Sequence, residues 1–418
     1  MPIKFHEKNQ VVYFGLQTNY GSANKVTTEN LGSTTAIACT SITADPTRDT
    51  GSFQFLGDSL SRDEYTYEKD KYIDLQIETF QQVLTDMSVA INADTASIWK
   101  VFQACGGAAI VDATTKNVVV TNILESPDYA TADVRLSSPD DASNDKLYKF
   151  WDLRGTVDVN ASVGEVPTLK FSLKGNADDP VTAAKQIADF GFQTTRCAPS
   201  ILPTTIKTMQ LALLNDTFTT TVGTYASGAY SANKVTLTFA ANHGVNTGEI
   251  VAIQVSGATP SLANGTFVAQ AASATTLVYY AKGLTGTGSL PGTVYAKKGA
   301  TPVATFCFST LTAANFFGFD YQRYLTGCDS GFAKGATPTD VSVTMMEDQV
   351  GGSSFDPDVN VTKFYGALLT FGNTTAGTNV SYMWDKLQLA NVKQGKVASY
   401  LGRDVTFRNT GASFIIYS

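Results

Sequence analysis

The stretch Asp74-Leu75-Gln76-Ile77-Glu78 alternates apolar and polar side chains, as a strand with one buried and one solvated face does. The same alternation returns at Asp340-Val341-Ser342-Val343-Thr344, at an offset of 340 − 74 = 266 residues. Each strand is followed by a short apolar segment that ends in glycine, at residues 96–106 and 361–372, and both segments are interpreted as helices. The matching offsets predict two copies of one unit in a single chain. The alternative is coincidence, because a strand followed by a helix is common.

The composition predicts a mainly β chain with more than one domain. Its 418 residues exceed what one ordinary core contains, so two or three domains are expected. Charged residues make up only 16%, while the chain has 24 Phe and 18 Tyr. Aromatic and β-branched residues suit pleated surfaces. A low charged fraction also fits a protein that buries much of its surface against copies of itself.

Three regions follow from changes along the chain. Residues 216–300 consist largely of Thr, Ala, Gly, Ser and Val, with strand patterns and no helical periodicity. We interpret them as an inserted immunoglobulin-like or small-barrel β domain. Residues 1–215 form the first unit, and residues 301–418 form the second, completed by strands from about 190–215. Each unit is expected to be a β-sandwich or barrel with one short flanking helix.

The residues give little support for catalysis. The chain has two histidines, His6 in a polar segment and His243 in a glycine-rich turn, and it has no Cys/His cluster of zinc-site spacing. No P-loop or dinucleotide-binding motif follows a predicted strand. We therefore expect no catalytic residues, no metal site and no cofactor. The net charge of −7 argues against a surface that coats nucleic acid.

Five cysteines in no paired spacing argue against a disulfide framework and favour a reducing compartment. Cys105 and Cys307 lie in apolar segments and are interpreted as small buried side chains. The start of the chain is polar, so no signal peptide is expected, and no apolar run reaches the length of a membrane span.

The charged stretch at residues 61–71 has two interpretations. It is either the solvated tip of a hairpin or an arm that contacts another molecule, because mixed charge interleaved with tyrosine makes a polar docking surface. The contact candidates are Arg62, Asp63, Glu64, Tyr65, Tyr67, Glu68 and Lys69.

Several of these segments together resemble the major tail (tail tube) proteins of long-tailed bacteriophages. The resemblance covers most of residues 11–215 and 305–418. It rests on Gln17-Thr18-Asn19-Tyr20-Gly21, Arg48, Phe55-Leu56-Gly57, the segment from Trp99 to Gly107, two strands ending at Gly175, and the stretch from Phe317 to Gly327.

The resemblance implies a structural virion protein, made in the host cytoplasm and located in the tail. In that family, β-sandwich domains form stacked six-fold rings whose lumen conducts DNA during ejection without sequence-specific binding. The expected partners are copies of the chain itself, the tape measure protein, and tail terminator or baseplate proteins, with no membrane. Two departures are the inserted domain and the tandem copies. With two copies per chain, we expect a trimeric ring with pseudo-six-fold symmetry, and a hexamer is the alternative.

A conduit for DNA should present neutral or acidic side chains inward. The lumen candidates are Asp74, Gln76, Glu78, Asp158 and Asn160, with residues 340–344 and 396–400 as their counterparts in the second copy. The charged arm has its counterpart in residues 327–337. We expect the insert to lie on the outer surface, where it would not block the channel.

A second function remains open on the sequence alone. A carbohydrate-binding or adhesin-like β protein would also expose Tyr and Trp on β modules and lack catalytic motifs. The two readings differ in assembly, because only the first requires rings.

Overall fold

The structure is a computed structural model. Side chains are not described for residues 45–71 and for some other strand positions. The structure describes residues 10–17, 19–21, 36–37, 39–56, 62–81, 97–112, 117–121, 129–137, 143–162, 164–184, 209–231, 233–284, 286–318, 321–325, 330–334, 339–346, 363–371, 380–397 and 400–417.

The described residues of the first copy form ten strands and one helix. They are β1 (Gln10–Gln17), β2 (Ala36–Ile37), β3 (Ser41–Leu56), β4 (Arg62–Phe80), α1 (Ser97–Ala104), β5 (Ala108–Asp112), β6 (Asn117–Thr121), β7 (Tyr129–Ser137), β8 (Asn144–Ser162), β9 (Thr168–Ala177) and β10 (Val181–Ala184). The predicted helix is confirmed, and it ends where Gly106 takes a φ of 80° and Gly107 donates a hydrogen bond to the Phe102 carbonyl.

The insert and the second copy contain only strands in the described part of the chain, apart from one short 3-10 turn. The insert comprises β12 (Phe218–Thr221), β13 (Tyr225–Ser231), β14 (Lys234–Phe239), β15 (Ile250–Ser256), β16 (Gly265–Ser273), β17 (Thr276–Tyr280), β18 (Thr287–Ser289) and β19 (Tyr295–Gly299). The second copy comprises β11 (Met209–Leu213), β20 (Ala304–Phe306), β21 (Phe308–Gly318), β22 (Tyr321–Leu325), β23 (Ser330–Lys334), β24 (Asp340–Met346), β25 (Phe364–Phe371), β26 (Val380–Val397), β27 (Tyr400–Asn409) and β28 (Ser413–Tyr417).

The two copies pair their strands in the same order. The first runs β2-β1-β7-β8-β9-β4-β3, with β10 also on β8. The second runs β20-β11-β25-β26-β27-β24-β21, with β28 also on β26. The register agrees as well, because Asp74 lies opposite Lys174 and Asp340 lies opposite Arg408. The 266-residue offset of the alternating strands is therefore reproduced in three dimensions, and the chain is mainly β as predicted.

The predicted second helix is wrong. Residues 364–371 form strand β25, which is the counterpart of β7 and not of α1. Ala367, Leu369 and Phe371 face the main core, while Leu368 faces a separate apolar cluster under the insert. A strand buried on both faces has a continuous apolar sequence, which hides the period of two. The 266-residue offset predicts that Tyr365 corresponds to Trp99 and Phe371 to Cys105. Both pairings are wrong, because Tyr365 corresponds to Ala130 and Phe371 to Leu136.

One continuous antiparallel sheet crosses both copies. Its order is β3-β4-β9-β8-β21-β24-β27-β26, so each copy contributes four strands. One face of this layer packs on a core shared by both copies, with side chains such as Leu75, Phe171, Val159, Val343 and Phe407. The other face is polar.

The insert forms its own eight-stranded sheet around its own core. It packs on the side of β25, β26 and β28 that faces away from the shared core, through Leu368, Met383, Phe414 and Ile416. The Tyr280 ring of the insert stacks on the Phe414 ring with centroids 4.6 Å apart. The insert therefore lies on the opposite side of the molecule from the polar face of the continuous sheet.

Candidate assembly interface

The two copies meet at a strand-to-strand seam between β8 and β21. Ala313 lies opposite Val159, Thr312 opposite Asn160, Leu311 opposite Ala161, and Thr310 opposite Ser162. Leu311, Ala313, Val159 and Ala161 are buried in the shared core. A second pairing, between β6 and β28, also joins the copies. The copies are thus joined head to tail by backbone pairing.

A bulge in β21 interrupts the seam, which resumes with Phe317 opposite Val157 and Gly318 opposite Thr156. At Asn315, whose φ is 50°, the strand bends, and its backbone N–H donates to the Asp158 carboxylate at 2.7 Å. Partial burial raises the pKa of Asp158, while this hydrogen bond and the Lys170 charge oppose the rise. Gly318 then comes so close to the backbone of the first copy that a Cβ there would overlap the Gly155 carbonyl oxygen.

The bulge also fixes both copies through aromatic packing. Phe317 packs edge-on against Phe102 of α1, with ring centroids 6.0 Å apart, and Phe316 packs edge-on against Trp384 of β26 at 5.5 Å. All four rings are buried. The seam is therefore part of the hydrophobic core, and the two copies form one body.

The structure brings all five lumen candidates to the polar face of the continuous sheet. Asp74, Gln76 and Glu78 alternate on β4, and Asp158 and Asn160 lie two strands away on β8. Gln76 is exposed, and the others are partly exposed. Whether this face lines a lumen stays a prediction.

Opposite charges lie opposite each other on neighbouring strands at several places on this face. Lys170 of β9 lies between Glu78 on one side and Asp158 on the other. In the second copy, Asp404 of β27 lies between Thr344 and Lys393. The Arg408 Nε lies 3.5 Å from an Asp340 carboxylate oxygen. Opposite charges that face each other across strands stabilise a sheet, so this pattern differs from a basic stripe.

Sequence reasoning missed several members of this face and misplaced others. Lys170, Ser172 and Lys174 alternate on β9 and could have been found by their period of two. Residues 393–397, and not 396–400, correspond to residues 158–162, because Lys393 lies opposite Asp404 as Asp158 lies opposite Lys170. A bulge between Leu389 and Asn391 adds one residue to β26, which accounts for one of the three positions of this shift. Residues 398–399 lie outside the described part of the chain.

The two strands at the ends of the continuous sheet each keep an open edge. Within the described residues, β3 pairs only with β4, and residues 391–397 of β26 pair only with β27. Ser41, Thr43, Lys393, Gln394 and Lys396 are exposed. These edges correspond to those of β21 and β8, which pair with each other inside the chain.

The charged arm is the distal part of a long β3–β4 hairpin. Beyond Tyr72, β4 leaves β9 and continues as a two-stranded ribbon until Arg62 pairs with Leu56. All seven contact candidates lie on this ribbon, and their side chains are not described. The second copy has a shorter ribbon, β22–β23, from Tyr321–Lys334 to Leu325–Ser330. Residues 326–329 and 335–337 lie outside the described residues.

The remaining chemistry-bearing groups are dispersed. His243 is buried in the insert, where its Nε2 lies 2.8 Å from the Ser273 carbonyl oxygen, and His6 lies outside the described residues. Cys105 is buried as predicted, whereas Cys307 is exposed because Phe306 and Phe308 on either side of it face inward. Among the described residues, no group of acidic, His and Cys side chains could hold a metal ion. No described helix has the length and apolarity to cross a membrane.

One cleft of about 550 Å³ lies between the insert and the second copy, lined by Tyr280, Lys282, Met383 and Asp385 among others. The Asp385 carboxylate accepts a hydrogen bond from the Ala412 N–H at 2.5 Å. Burial raises the pKa of Asp385 to about 6. The cleft lies at a junction between domains and holds no constellation of reactive groups.

Comparisons with known proteins leave the family open. No protein-family model matches the chain, and no curated protein matches it.

Proposed function

We propose that this chain is a structural subunit that assembles head to tail into rings, and that stacked rings form the tail tube of a long-tailed bacteriophage. The observation that carries the proposal is the seam between β8 and β21, which joins two equivalent four-stranded layers into one sheet. The equivalent edges belong to β3 and to residues 391–397 of β26, at the two ends of that sheet, and neither has a second partner strand within the described residues. A contact between different edges of identical chains propagates until it closes into a ring.

The size of the sheet favours a channel. In a trimer, three chains with eight strands each would close a sheet of 24 strands. At a strand spacing of about 4.8 Å, its backbone circumference is at least about 115 Å and its diameter about 37 Å. The inner face would be the polar one, where lysines lie opposite carboxylates, and it would pass DNA without retaining it. The insert, on the opposite side, would face outward.

Negative-stain electron microscopy of the purified chain tests the proposal. We expect rings or short tubes with a central hole. Particles that stay monomeric at every concentration and salt tested would contradict it and would favour the adhesin-like alternative, which a glycan-binding screen on the same sample would then address.

A further inference from the structure

The internal repeat also specifies how two separate chains would pair. The row Glu78–Lys170–Asp158 in the first copy corresponds to Thr344–Asp404–Lys393 in the second. Asp158 on β8 therefore corresponds to Lys393 on β26, an offset of 393 − 158 = 235.

Strand β3 of the first copy and strand β21 of the second correspond in the same way. Ala44 of β3 lies opposite Leu75, and Ala313 of β21 lies opposite Val341, the residue equivalent to Leu75. Ala44 therefore corresponds to Ala313, an offset of 313 − 44 = 269. These two offsets place the four seam pairs from Thr310–Ser162 to Ala313–Val159 onto the open edges of β3 and β26.

We propose that β3 of one chain pairs antiparallel with residues 394–397 of β26 in the next chain, with Ala44 opposite Gln394 and Ile42 opposite Lys396. The pairing follows from Ala313 opposite Val159 and Leu311 opposite Ala161 within the chain. Thr43 then lies opposite Gly395, and Ser41 opposite Val397. This register rests on the ring assembly proposed above and names the contact that builds it.

The exposure of these residues fits strands that are open before assembly and covered after it. Gln394 and Lys396 are exposed, whereas their counterparts Val159 and Ala161 are 0% and 3% exposed. Polar and charged residues on an open edge limit unwanted pairing while the chain is free. The stem of Lys396 can cover Ile42 in the assembled seam while its ammonium group stays hydrated.

A second copy of this chain is the occupant that fits both edges. The next step of the register places Asp45 of one chain opposite Lys393 of the next, two residues of opposite charge. Lys393 would then lie between Asp404 and Asp45, as Lys170 lies between Glu78 and Asp158. The equivalence ends there, because the bulge at Asn315 has no counterpart in β3.

Disulfide trapping tests this register in the full-length chain. Residues directly opposite each other in an antiparallel pair have Cα atoms about 4.5–5.5 Å apart, within the range that a disulfide spans. The variant carrying Ala44→Cys and Gln394→Cys is oxidised after assembly and analysed on a denaturing gel without reductant. We expect covalent dimers and trimers and their loss on reduction.

Three controls make the result specific. Each single variant should stay monomeric on the gel, which controls for the native cysteines. Thr312→Cys with Asn160→Cys should form a disulfide within one chain and show no increase in mass. Ala44→Cys with Lys396→Cys is displaced by two residues, about 7–8 Å apart, and should cross-link far less.

The outcomes separate the seam from the function. If the internal control oxidises while the Ala44–Gln394 variant stays monomeric, the seam is overturned, even if rings are present. If rings form but the Ala44–Gln394 disulfide does not, the proposed function stands and the chains contact each other through different residues. Covalent oligomers that never close into rings support the seam and count against the tube.

Discussion

The Asp158 carboxylate accepts a hydrogen bond from the backbone N–H of Asn315 across the seam between the two copies, at 2.7 Å. The bond crosses the bulge in β21, where the regular pairing with β8 is interrupted. It therefore couples the polar face of the sheet to the joint between the copies.

Replacing Asp158 should reveal the strength of that joint. Asp158→Ala removes the acceptor and should lower the free energy of unfolding by about 1–3 kcal/mol. Asp158→Asn keeps an acceptor oxygen and should cost less. Urea denaturation followed by tryptophan fluorescence measures both variants. Equal stability of the alanine variant and the parent chain would mean that the bond does not hold the seam.

Charge reversal tests the contact between chains independently of disulfides. Lys393→Asp places a carboxylate among Asp404 and the next chain's Asp45, so ring formation should be lost. Adding Asp45→Lys should restore part of it, because the pair across the seam is again of opposite charge. Ring formation is scored by size-exclusion chromatography and microscopy. The matched control is Lys297→Asp, the same change at an exposed site of the insert, which should assemble normally.

The apolar contact between the insert and the second copy predicts the effect of deleting the insert. Replacing residues 216–302 by a short linker would expose Leu368, Met383, Phe414 and Ile416, so the shortened chain should associate non-specifically. The first copy carries Asp133 and Lys149 where the second has Leu368 and Met383. Adding Leu368→Asp and Met383→Lys should therefore recover soluble chains that form rings. A folded, soluble shortened chain that never assembles would show that the insert is needed for the ring.

The raised pKa of Asp385 predicts a pH dependence of stability. Its folded pKa of about 6 lies above the ordinary value of 3.8, so the folded chain holds its proton more tightly than the unfolded chain. The resulting stabilisation is complete below about pH 4 and is lost as pH rises through 6. Relative to Asp385→Asn, the parent chain should thus lose stability between pH 4.5 and 7.5. Urea midpoints at both pH values measure this, and an unchanged difference between the two proteins would exclude the effect.

The strand content and much of the repeat could be predicted from sequence, because half-buried strands keep a visible period of two. Residues 74–78 and 340–344 were matched correctly on that signal. β25 was mistaken for a helix because the insert buries its second face, and no local pattern reports a contact with a distant domain. The polar face was located on β4 and β8, but its counterpart on β26 was placed three residues too far along the chain. The seam pairs the edges of two strands, β8 and β21, that lie about 150 residues apart in sequence. The alternation of apolar and polar residues does not show which strand edges pair.

We propose that three chains close one ring of six pseudo-equivalent sheet units. Native mass spectrometry of the smallest closed ring, combined with averaged end-on images, distinguishes a trimer from a hexamer. We expect a mass of three times the 44.5 kDa chain, and images with six lobes that obey only three-fold symmetry. A ring of six chains, or one with true six-fold symmetry, would contradict it.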